Sequence, residues 1–209
     1  MELLLNDEQT MLRDSAATFT ARRGGADRLR RQRDTDAKID REIWTQAAEA
    51  GWLAILAPES AGGLGLGLTE LCLVSEELGK GLVPEPVAAV AAVARALGAS
   101  GPSEALVSGE RIVLPALMEN TRSIGDEVPA VTAAPDGDAL SLDGVKTGIP
   151  CPDDADGFLV SAAGPDGLVL AVVNSDDAEI QAAPTLDGQT VGTIALNGVP
   201  GAAVAGPNE

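Results

Sequence analysis

Four glycines, Gly62, Gly63, Gly65 and Gly67, crowd one loop between an apolar run and a helix. Such a loop can cradle phosphate through its backbone N–H groups. Spacing excludes the two nucleotide arrangements that use it. A dinucleotide fingerprint, G-x-G-x-x-G, counted from Gly63, needs glycine at position 68, where Leu68 stands. A phosphate loop needs lysine and a hydroxyl residue after its last glycine, and the nearest lysine is Lys80, inside the following helix. Histidine is absent, which removes His-dependent triads, H-E-x-x-H zinc sites and histidine general bases. Cys72 and Cys151 are too few for a disulfide framework, and Cys72 is expected as a small core residue. The paired carboxylates Glu76-Glu77 and Asp153-Asp154 are sequence neighbours and read as solvated surface. Arg22, Arg23, Arg28, Arg30, Arg31 and Arg33 form the one basic cluster. It offers an anion or partner site, but a solvated helix end and turn accounts for it more simply, since Arg22 and Arg23 suit a helix C-terminus.

The elements around the glycine loop carry clear signals. Asn6, with Gln9 three residues on, makes a capping box for a helix to about Arg23, with Met11, Leu12, Ala16 and Phe19 as its buried face. Asp40 caps a helix that turns Ile43, Trp44, Ala47 and Ala48 to one side. Gly51 then stands where a left-handed cap is wanted. Beyond the loop a helix starts near Thr69, with Leu71, Val74 and Leu78 on one face and Glu70, Glu76 and Glu77 free to stay wet. Pro86 opens a small-residue helix that ends at Gly98. Either that helix or the Leu71/Val74/Leu78 face is expected to leave an apolar patch for a partner.

After residue 101 proline and glycine punctuate short runs of strand character: 112–117, 128–134, 139–142, 157–162, 168–173 and 190–196. The fold class is therefore α+β, an all-helical domain over residues 1–100 followed by an antiparallel β-barrel or sandwich over 101–209. The chain is 45% hydrophobic, enough for a globular core, and no apolar run reaches the ~20 residues of a membrane span. MELLLNDEQ lacks the basic start of a signal peptide, so a cytoplasmic location is expected. The net charge is −18, and from residue 101 onward only Arg111, Arg122 and Lys146 are basic against 17 acidic residues. Nucleic acid and anionic membranes are excluded as partners on that ground.

The central stretch resembles the acyl-CoA dehydrogenase family. Its W-x-x-x-A-x-x-G-W is Trp44, Ala48, Gly51 and Trp52; its P-E-x-x-G-G-x-G is Pro58, Glu59, Gly62, Gly63 and Gly65; its E-E-L-G is Glu76 to Gly79. The β half continues the likeness with Ala116-Leu117-Met118-Glu119 for A-L-T-E, Leu142-Asp143-Gly144-Val145-Lys146 for L-x-G-x-K, and Ala155-Asp156. The resemblance implies a flavoprotein oxidoreductase of fatty acid or steroid side-chain degradation. It implies FAD as cofactor, an acyl-CoA substrate, and α,β-dehydrogenation by a glutamate base with hydride passing to the flavin. In the family that base belongs to a C-terminal helical bundle that this sequence, up to Glu209, does not include, so no residue here is assigned as catalytic.

In the family two β-domain segments hold the flavin. Matched by position, the first places Leu117 and Met118 at the site, with the aromatic and the threonine replaced by Pro115 and Met118. The second, K-x-W-I-T, reads Lys146-Thr147-Gly148-Ile149-Pro150, which exchanges tryptophan for Gly148 and threonine for Pro150. The expected cofactor-facing residues are thus Leu117, Met118, Gly148, Ile149 and Pro150. The family's G-S-D turn has no counterpart in residues 120–126. Two functions follow from the resemblance. One is an acyl-CoA dehydrogenase completed by a C-terminal domain or partner. The other is a non-catalytic subunit of a heteromeric dehydrogenase that has lost its own flavin site. In both the chain is expected in a homo- or hetero-oligomer.

Overall fold

The computed structural model describes residues 4–98, 103–119 and 128–205. Residues 120–126, expected to lack the family's G-S-D turn, lie outside that set. Helix α1 (Asp7–Arg23) begins on the expected capping box: the Asn6 side chain accepts the Gln9 N–H at 2.8 Å, and the Gln9 side chain accepts the Asn6 N–H at 3.2 Å. Helices α2 (Ala26–Arg33), α3 (Arg41–Glu49), α4 (Leu68–Lys80), α5 (Val87–Leu97) and α6 (Ser103–Val107) follow. Asp40 caps α3 by accepting the Glu42 and Ile43 N–H groups. Ala16, Ile43, Trp44, Ala47 and the whole run Trp52–Ala57 are buried, with Phe19 edge-on to Trp52 at 5.0 Å between ring centroids.

The glycine loop folds back on the run it follows. Gly63, Gly65, Leu64 and Leu66 donate their N–H groups to the carbonyls of Pro58, Ala57, Ala54 and Ile55 at 2.8–3.0 Å. A Cβ on Gly63 would stand 2.1 Å from the Ala57 oxygen, so this close approach requires glycine. With these donors turned inward, the loop has no cradle for phosphate. At its far end the Glu70 carboxylate accepts the Gly67 N–H and the Gln9 side-chain amide, tying the start of α4 to α1.

Strands β1 (Val113–Ala116), β2 (Thr132–Asp136), β3 (Ala139–Pro150), β4 (Gly157–Gly164), β5 (Gly167–Asn174), β6 (Glu179–Pro184) and β7 (Thr190–Ala205) form one sheet. β4 pairs with β2 and β5, β2 with β3, and both β3 and β5 with β7, which closes a barrel. The ladders are antiparallel except on β4, where β1 and then β2 pair in parallel along one edge. Phe158, Val160, Leu142, Ile149, Ile194 and Leu196 fill the interior, and Val113 and Leu114 of β1 are buried in the same continuous core as the helices.

Several expectations need correction. Met11 is 72% exposed and lies off the buried face of α1. Cys72 is exposed, and Glu77 is buried beneath Lys80, whose ammonium stands 2.7 Å from it. The α5 face and the Leu71/Val74/Leu78 face are both internal, so neither supplies an apolar patch. Arg28 is buried rather than solvated; it pairs with buried Glu85 and lies 3.6 Å from Asp40. The expected antiparallel barrel is present, with parallel pairing only where β1 and β2 meet β4. Asp154 is not mere surface, because its carboxylate accepts the Lys38 and Ile39 N–H groups at 2.7 and 3.2 Å. That contact, with Arg41 at 3.5 Å from Asp156, joins the helical half to the barrel.

Candidate functional site

The two segments expected to face a cofactor do meet. β1 ends at Ala116, and the chain continues alongside β3 so that Met118 pairs with Thr147; the Thr147 N–H donates to the Met118 carbonyl at 2.9 Å. Leu117 is half-buried and Met118 is 46% exposed. Gly148 sits at φ +69°, a left-handed conformation that side-chain-bearing residues rarely adopt. A Cβ built on Gly148 would lie 3.3 Å from the Met118 sulfur, close enough that the thioether would have to give by a few tenths of an ångström. Ile149 is fully buried, in the barrel interior and away from this face. Pro150 is exposed and pairs with Val191 of β7.

None of these five residues carries a side-chain hydrogen-bond donor, and Pro150 lacks a backbone N–H as well. A flavin ring held by an aromatic surface and a hydroxyl therefore finds neither here. The residues present do not fit a side-chain-held flavin.

Immediately behind the face lies a polar group that the sequence reading used only as a family marker. Lys146 has no solvent exposure; its ammonium donates to Glu119 at 2.7 Å, to the Ser161 hydroxyl at 3.0 Å and toward the Leu117 carbonyl at 3.5 Å. Glu119 also accepts the Ala130 and Val131 N–H groups at 2.7 and 3.1 Å. Burial opposes the charge on Glu119, but the hydrogen bonds from Lys146, Val131 and Ala130 outweigh it and hold the carboxyl below its ordinary 4.5. Burial pushes the Lys146 ammonium below its ordinary 10.5 against the pull of Glu119. A lone lysine in a strand gives no sign of its partners. The alternation of β3, with Leu142 buried and Lys146 four positions on, was the available signal that this lysine points inward.

A carboxyl with a lowered folded-state value stabilises the fold above its unfolded value and loses that contribution as pH falls through the folded one. Stability is therefore expected to drop more steeply below pH 4.5 in the parent than in a Glu119→Gln variant. Urea unfolding across the acid range checks this; parallel pH profiles would show that the pair is not what acid disrupts.

Among the described residues, the other reactive groups offer no competing centre. Cys151 is buried, and burial pushes its thiol up, away from the thiolate a nucleophile needs. Among the described residues no group of three or more acidic, cysteine or histidine side chains could hold a metal ion, and no helix is long and apolar enough to cross a membrane. Arg22 and Arg23 line an open cleft of about 550 Å³ with Ser15, Thr18 and Gln46, where Arg23 pairs with Glu42 at 3.1 Å.

A family model described as the N-terminal domain of acyl-CoA dehydrogenase matches residues 6–105. The acyl-CoA dehydrogenase FadE27 of Mycobacterium tuberculosis is 34% identical over 180 residues, 80% of this chain and 47% of FadE27. The chain belongs to the acyl-CoA dehydrogenase family. Two solved structures carry the likeness through the barrel. A variant of the Tcur3481-Tcur3483 steroid ACAD superposes with a TM-score of 0.85 at 34% identity, over 96% of this chain and 57% of that one. The ChsE4-ChsE5 complex from Mycobacterium tuberculosis gives 0.86 at 28% identity, over 100% and 59%. The chain thus spans about half the length of these relatives. Acyl-CoA dehydrogenases are FAD-dependent oxidoreductases.

Proposed function

We propose that this chain serves FAD-dependent α,β-dehydrogenation of an acyl-CoA thioester as the structural, non-flavin part of a heteromeric acyl-CoA dehydrogenase. The observation that carries this reading is the face formed by Leu117, Met118, Gly148 and Pro150. Its backbone is paired through Met118 and Thr147, and these four residues have no polar side chain with which to hold a flavin. The relatives add support, since ChsE4-ChsE5 is a complex and Tcur3481-Tcur3483 bears a two-part name. The barrel face would then pack in the assembly, with FAD and the catalytic base supplied by residues outside this chain. A second reading, an enzyme that grips FAD through backbone groups alone, is favoured by the intact pairing of Met118 with Thr147.

Flavin titration separates the two. The isolated chain is expected to purify colourless, without dehydrogenase activity, and to leave FAD fluorescence unchanged. A stoichiometric yellow flavin on the isolated chain would overturn the subunit reading. Gly148→Trp alone is expected to restore nothing. Its left-handed backbone disfavours any side chain by about 1–2 kcal/mol, and the Met118 sulfur, 3.3 Å from where a Cβ would stand, would also have to shift. Co-expression with a flavin-bearing dehydrogenase chain, followed by co-purification, tests the partner directly.

A further inference from the structure

The face has no polar side chain among its five expected residues, yet a fully buried ammonium lies directly beneath it. An ammonium has three N–H donors, and Lys146 has three oxygens within reach: Glu119 at 2.7 Å, Ser161 at 3.0 Å and the Leu117 carbonyl at 3.5 Å. These oxygens come from the run after β1 and from β4, while Lys146 itself belongs to β3. Glu119 extends the group to a fourth place by accepting the Ala130 and Val131 N–H groups just before β2. Both ends of the connection from β1 to β2 are therefore tied to one carboxylate.

Stability alone does not call for this arrangement. A buried ion pair recovers its desolvation cost poorly, and apolar residues of similar volume often hold a core as well or better. What an apolar side chain cannot do is fix a carbonyl, a carboxylate and two amides at set heights at once. Residues 117–119 need such a hold, because β1 has already ended at Ala116.

We propose that Lys146 and Glu119 are the positioning residues of this face: their buried contact sets the height of Leu117 and Met118 over Thr147 and Gly148. The purpose given to the pair rests on the functional reading above; its geometry does not.

The test uses the whole chain with Lys146→Met and Glu119→Gln combined. Glutamine keeps an acceptor for the Ala130 and Val131 amides, and methionine fills the space of the lysine stem. Two signals are read: deuterium exchange of the Thr147 amide, which donates to Met118, and the Met118 methyl resonance, with exposed Met11 as reference. The Thr147 amide is expected to exchange about tenfold faster, relative to the amides of β4 and β5, as local opening is freed from global unfolding. The Met118 methyl is expected to shift while that of Met11 stays. Thr147 changing only in step with β4 and β5 would reduce the pair to general stabilisation and overturn the proposal. If the double variant does not fold, Ser161→Ala removes one acceptor and leaves the pair. Selective acceleration at Thr147, about threefold, is then expected, and no acceleration overturns the proposal equally. Neither signal needs flavin or a partner, so this result stands or falls apart from the functional reading.

Discussion

Replacing Lys146 by methionine alone is expected to lower the unfolding free energy by about 3–5 kcal/mol, because it strands the Glu119 carboxylate. That carboxylate is only 5% exposed, and its remaining contacts are backbone amides that cannot neutralise it. Against a typical total of about 5–15 kcal/mol this is a large share. Adding Glu119→Gln is expected to recover most of the loss, since both charges are then gone. Urea midpoints at neutral pH compare the three proteins. If the single and double variants are equally unstable, the cost lies in the lost lysine stem and not in the stranded charge.

The second large effect belongs to Trp44. Its ring is fully buried and its indole N–H donates to the Gly109 carbonyl at 3.1 Å, so one side chain links α3 to the turn between α6 and β1. Trp44→Ala is expected to cost about 3–5 kcal/mol through the cavity it leaves. Trp44→Phe keeps most of the volume but leaves the Gly109 carbonyl unmatched, for about 1–3 kcal/mol. Thermal unfolding distinguishes them. An alanine variant no worse than the phenylalanine one would mean that the site collapses around the gap.

Residues with local consequences were legible in the sequence. Asn6 and Gln9 cap each other three residues apart, Asp40 caps α3, and the motifs around Trp44 and Gly63 carry their own turns. The helix α2 was not, because ADRLRRQR buries only Arg28 and shows no apolar stripe. Nor was β6: EIQAAP is an outer strand with most side chains exposed, so no alternation marks it. Met11 and Cys72 failed for the opposite reason, being apolar residues that a helix can leave outside at small cost. At the candidate site, the sequence suggested, through the resemblance, which positions depart from the family pattern. The pairing of Glu119 with Lys146 and the Met118 sulfur over Gly148 depend on non-local contacts that spacing cannot reveal.

The position of β7 in the sheet bears on how the barrel comes to exist during synthesis. β7 pairs with β3, β5 and β6, and it is the last strand of the sheet in chain order. The contacts within α1 to α5 are complete once residue 97 has emerged from the ribosome. The barrel cannot close until Thr190–Ala205 has followed, which at about 5–20 residues per second is several seconds later. From the time β3 and then β5 have emerged until β7 arrives, each presents an unpaired edge. A nascent chain paused in this span is therefore the form most exposed to chaperone capture or strand exchange with a neighbour, and slow translation there should favour aggregation over the closed fold.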